Sequence, residues 1–125
     1  MKLTKGQIEA EIGKALIQFE RDYMGRGPGE TRAYIVGDLV LVRLKGVLTP
    51  AEQQLAKNSE GVELIKKIRS NLLEQARGLL SAAIEKITDR KVVSLFTDIS
   101  TVTGERMIIF VLDSDLEGRF KNHSA

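Results

Sequence analysis

The 125-residue sequence has no cysteine and no tryptophan, one histidine, two prolines, four phenylalanines and two tyrosines. Without cysteine there is no disulfide, no thiol nucleophile and no thiolate metal site, which fits a reducing compartment. The single histidine, His123, falls in a polar C-terminal stretch. That removes HExxH metal ligation, and no GxSxG nucleophile elbow or paired-carboxylate constellation replaces it. Asp113, Asp115 and Glu117 are acidic neighbours without calcium-loop spacing. The expectation is a non-enzyme with no metal, no cofactor and no catalytic residue.

Long apolar runs are missing as well. None approaches the roughly 20 residues of a membrane-spanning helix, and the N-terminus lacks the apolar core of a signal peptide. The expected location is therefore cytoplasmic, which still allows docking on a membrane protein. Charge of one sign is also scarce: 19 basic residues face 17 acidic ones, for a net charge of +2. A nucleic-acid binder would show a strong basic footprint with aromatics among the cations, and neither is present, so nucleic acid is not an expected partner.

What the chain does have is periodicity. Ile8, Ile12, Ala15, Leu16, Phe19 and Tyr23 recur at helical spacing, with Thr4 and Gln7 as a capping box and Gly25 and Gly27 as the stop. Two β-rich runs follow, Thr31–Val36 and Leu39–Val47, joined at Gly37-Asp38, a two-residue hairpin turn. Thr49, Pro50 and Glu52 open a short helix with a second capping box. Ser59 is expected to cap a long helix over 60–88, with Val62, Ile65, Ile68, Leu72, Ala76, Leu79, Ala83 and Ile87 on its stripe, Leu64, Leu73, Leu80 and Ile84 widening it, and a weak point at Gly78. "KVVSLFTDIST" and "ERMIIFVLD" form a second hairpin around Gly104. The order α-β-β-α-α-β-β predicts an α+β fold in which two hairpins make a four-stranded antiparallel sheet packed with two main helices. Val40, Val42, Leu95, Ile109 and Val111 are expected to face inward. Residues 1–113 read as one domain and 114–125 as a polar, frayed tail.

The strands are apolar on both faces. Leu39 and Leu41 point one way and Val40, Val42 and Leu44 the other, and 108–112 is apolar throughout. Antiparallel sheets with one wet face alternate more cleanly, so both faces want cover. A homodimer supplies it; the alternative is one helix on each face. A helix of roughly 43 Å also outruns an eight-residue strand of roughly 27 Å, and a dimer would cover that overhang too.

One loop carries candidate binding chemistry. Gly25, Arg26, Gly27 and Gly29 lie in "GRGPG", where backbone N–H groups can form an anion nest, and Arg32, Arg43 and Lys45 can converge on it if the first hairpin folds alongside. The loop lacks the lysine and Ser/Thr of a P-loop, and it follows a helix rather than a strand, unlike a dinucleotide fingerprint. The competing reading is a plain helix stop with solvated arginines. Arg43, in the apolar run "LVLVRLKGVL", and Asp98, on the Phe96 face of "SLFTDIST", are a candidate buried ion pair, against the plainer reading that each sits at a sheet rim.

Taken together, "TKGQIEAEI", "GRGP", "LTPAE" and "TDIS" with "TGER" resemble the MpsC family, small bacterial proteins named for a membrane potential-generating system. The similarity runs from about Thr4 to Asp113. The resemblance implies a cytoplasmic partner of membrane proteins that move cations or inorganic carbon, with no established catalytic residues. The expected function is a non-catalytic accessory protein, homodimeric, with a membrane-protein partner. The alternative is a small-anion sensor built on the Gly25–Arg32 loop.

Overall fold

The computed structural model describes residues 3–25 and 27–121. Its elements are α1 (Lys5–Met24), β1 (Glu30–Val36), β2 (Leu39–Lys45), α2 (Pro50–Leu55), α3 (Ser59–Thr88), β3 (Val92–Ser100), β4 (Glu105–Leu112) and α4 (Gly118–Lys121). The order is the expected one, and the fold is α+β with a single four-stranded antiparallel sheet.

Local chemistry sets most boundaries. The Gln7 N–H donates to Thr4 Oγ1 at 3.1 Å and the Thr4 N–H to Gln7 Oε1 at 2.8 Å, closing the first capping box. Thr49 and Glu52 repeat it at 3.2 and 2.9 Å. Gly25 ends α1 with φ of 78°, the left-handed conformation that glycine adopts without a Cβ clash. The cap of α3 is Asn58 rather than Ser59: its side chain accepts from the Gly61 N–H at 2.8 Å, and Ser59 is already helical. Gly61 has a packing reason that its sequence context hides. A Cβ there would sit 1.7 Å from the Leu55 carbonyl oxygen, so glycine alone lets α2 fold tightly against α3. Gly78 makes no break, and α3 runs unbroken for 30 residues.

The two hairpins join through β2 and β4, giving the strand order β1-β2-β4-β3. Helices α1 and α3 lie side by side on one face of this sheet, α1 over β1 and α3 over β3. The core is the layer between them: Ile8, Ile12 and Leu16 of α1, Ile65, Leu73 and Ile84 of α3, and Val40, Val42, Ile108 and Phe110 of the sheet are all buried. Burying each such aliphatic side chain contributes about 1.5–3 kcal/mol.

Three expectations change here. Ile109 and Val111 face away from the helices; Ile108, Phe110 and Leu112 face in, because Leu95 lies opposite Phe110 and the pleat alternates from there. The α3 stripe is also shifted towards the residues expected at its margin: it follows Ile65, Arg69, Leu73, Ala76, Leu80 and Ile84, leaving Ile68 and Leu79 exposed. Finally, the chain does not leave the fold at residue 113. Leu116 is fully buried, and Phe120 packs against the core. The Leu116 N–H donates to the Gly37 carbonyl at 2.9 Å, and Glu117 takes the Gly37 N–H at 3.0 Å and Lys5 at 2.9 Å. These bonds tie the segment to the first hairpin turn and to the start of α1.

Candidate functional site

With both long helices on one side, the other face of the sheet is left bare among the described residues. The strand registers arrange its side chains in rows that cross all four strands. Tyr34, Leu41, Ile109 and Phe96 form one row, and Val36, Leu39, Val111 and Ser94 the row beside it. Seven of these eight side chains are apolar. None of the eight is buried, and Tyr34, Val36 and Phe96 are 45%, 52% and 59% exposed. Apolar groups in contiguous rows mark an interaction surface more than scattered ones do.

The next rows are charged. Arg32, Arg43, Met107 and Asp98 share one register line, and Glu30 and Lys45 lie opposite each other on β1 and β2. The loop candidates from the sequence are thus partly brought together. Arg32 pairs with Glu30 at 3.6 Å, Lys45 with the other oxygen of Glu30 at 3.6 Å, and Arg43 with Glu105. Arg26 lies outside the described residues, as does His123. The Gly29 N–H is not open to an anion, since it donates to the Lys45 carbonyl at 2.8 Å. Gly27 packs against the Arg21 side chain.

The Arg43–Asp98 pair does not form. β4 runs between β2 and β3, so Met107 stands between the two residues in the register. Arg43 takes Glu105 instead, while Asp98 accepts from Lys66 at 3.4 Å. Neither is buried.

The charges that are buried were passed over in the sequence. Glu20 of α1, Arg69 of α3 and Arg106 of β4 are enclosed in the core, and Glu52 of α2 closes the group. Arg69 donates twice to Glu52, once to the Val47 carbonyl at 2.8 Å and once to Glu20 Oε1 at 3.3 Å. Arg106 donates to Thr97 Oγ1 at 3.2 Å and faces Glu20 Oε2 more loosely, at 3.6 Å. Two cations and two anions cancel, as buried charges must. Burial pushes the Glu20 carboxyl up, against the opposing pull of Arg106 and Arg69. Glu52 is desolvated too, but the hydrogen bonds from Arg69 and Thr49 hold it below the usual carboxylate value.

The signal for this cluster was periodicity itself. Glu20 follows Leu16 by one turn, Arg69 stands between Ile65 and Leu73, and Arg106 is two residues before Ile108. A cavity of about 20 Å³ beside Arg69 and Arg106 has room for one water molecule, not for a metabolite. The cluster is therefore a strut that joins three helices to the sheet.

Fold and site together define a two-layer α+β domain with helices on one side of the sheet and a bare, half-apolar face on the other. The chain belongs to the family described as "Na+-translocating membrane potential-generating system (MpsC)", which matches residues 4–114. It is 47% identical over 117 residues to the uncharacterized protein YbcI of Bacillus subtilis (strain 168), covering 94% of each chain. The uncharacterized protein YrhF of the same organism is 24% identical over 108 residues, 86% of this chain and 88% of its own. No solved structure matches.

Proposed function

We propose that the protein is a non-catalytic interaction subunit of a membrane potential-generating system, cytoplasmic and held at the membrane through a protein partner. The bare sheet face carries this reading, because it offers a partner contiguous apolar rows. Family membership supports the membrane setting. No helix among the described residues is long and apolar enough to cross a membrane, so the ion path would belong to another chain. The buried charges support a non-catalytic role, since Arg69 is spent on Glu52, Glu20 and Val47.

The test is affinity purification of the tagged chain from native membranes in mild detergent, with partners identified by mass. Recovery of an integral membrane protein of an ion-moving system is the expected result. Recovery of soluble proteins alone would overturn the reading.

A further inference from the structure

We propose that the occupant of the bare sheet face is a second copy of this chain, packed face to face about a two-fold axis that runs close to the strand direction. The proposal rests on the reading of this face as an interaction surface; with the face filled by a second copy, the membrane partner would be met by the other surfaces of the dimer.

The pattern of the face selects this arrangement. A two-fold axis along the strands keeps each row on its own row and exchanges the strand order, so β1 meets the partner's β3 and β2 meets its β4. Tyr34 then lies opposite Phe96 and Leu41 opposite Ile109, apolar on apolar. In the charged rows Arg32 meets Asp98 and Lys45 meets Glu105, because the cations sit on β1 and β2 and these two carboxylates on β3 and β4. Every such contact occurs twice, as an isologous interface requires. An axis across the strands through the centre of the face would press the Val36 row onto the Glu30 and Lys45 row, burying charge against apolar groups at high cost, and one shifted into the apolar rows would leave the charged rows outside the contact and shrink it. Packed sheets keep their strands within about 30° of each other, and an axis near the strand direction gives that geometry.

The partners for these new contacts are at hand. Arg32 is 67% exposed and holds Glu30 loosely at 3.6 Å. Asp98 is 79% exposed; its Oδ1 accepts from the Ile99 N–H at 2.8 Å and from Lys66 of α3 at 3.4 Å, so Oδ2 would make the contact with the partner's arginine. Four strands with four outward residues each cover roughly 500 Å² in projection. Side-chain relief raises the accessible area above the projection, towards the roughly 800 Å² per partner of a standard stable interface.

The experiment is sedimentation of the full chain, alongside Arg32→Glu, Asp98→Lys, the two single variants mixed, and Ile109→Glu, each checked for folding by circular dichroism. The unmodified protein should be a dimer at micromolar concentration. Each charge reversal puts like charges together at two symmetric places and should weaken the dimer about tenfold or more. Mixing the two reversed variants should restore association as a heterodimer, since each new glutamate then faces a new lysine. Ile109→Glu should give a folded monomer, because Ile109 is outside the core. A monomeric unmodified protein would overturn the proposal, and so would a dimer indifferent to Ile109→Glu or a mixture that fails to associate. A monomer that still recovers its membrane partner would overturn the dimer and leave the interaction reading standing; a dimer that recovers none would do the reverse.

Discussion

Arg69 and Glu52 meet as two parallel hydrogen bonds, Nε to Oε2 at 2.8 Å and Nη2 to Oε1 at 2.7 Å. The same Glu52 oxygen that takes Nη2 also accepts the Thr49 N–H at 2.9 Å. One carboxylate therefore caps α2 and clamps α3, while the far side of the guanidinium holds Glu20 of α1.

Arg69→Ala removes the hub, leaving Glu52 without its cation and Glu20 with only the looser Arg106 at 3.6 Å. Breaking one member of a buried ion network costs about 3–5 kcal/mol. The chemical-denaturation midpoint should drop accordingly. A loss under about 1 kcal/mol would mean that the cluster is not the strut described, because exposed pairs are worth no more than that.

The two carboxylates give opposite pH dependences. Glu20 is raised by burial, so the folded state holds its proton more tightly than the unfolded chain does. Its contribution is largest below the unfolded value of 4.5 and declines as pH rises through the folded value. Glu52 is lowered, so its contribution is present above 4.5 and disappears as pH falls through its folded value. Glu20→Gln should consequently become more stable relative to the unmodified protein as pH rises from acid to neutral. Urea midpoints measured across that range would reveal the trend, and a difference that stayed flat would contradict the assignment.

Two glycines of α3 should respond with opposite sign. Gly61→Ala places a methyl 1.7 Å from the Leu55 carbonyl oxygen, a backbone atom that cannot swing aside. A loss of about 1–3 kcal/mol is expected, as for other overpacked sites. Gly78→Ala meets nothing within 4 Å on an exposed helix face and should gain about 0.8–1.0 kcal/mol. Thermal melts of the two variants should move in opposite directions.

Leu116→Ala tests whether the C-terminal segment belongs to the fold. The side chain is fully buried, so truncation should cost about 2–5 kcal/mol. A stability unchanged by the substitution would return residues 114–121 to the status of a tail.

The capping boxes at Thr4 and Thr49, the stop at Gly25 and the turns at Gly37 and Gly104 were legible because each is a local event, closed within four residues of chain. The buried cluster was half legible. Glu20, Arg69 and Arg106 each interrupt an apolar period, but a charge on a stripe reads as the edge of that stripe until its counter-charge is known. Passing over Arg69 also rotated the expected α3 stripe towards Ile68 and Leu79.

The sequence by itself determined the elements, their order and the two hairpins, since hydrogen bonds and caps between near neighbours decide those. Only the tertiary structure decided which face of β4 turns inward, because Met107 to Leu112 is apolar on both faces and Arg106, the charge at its start, points into the core. It also put α1 and α3 on the same side of the sheet and paired Arg43 with Glu105 rather than Asp98. Those choices depend on contacts between residues far apart in the chain, where the matching of shape and charge across elements selects the partner and no local pattern records it.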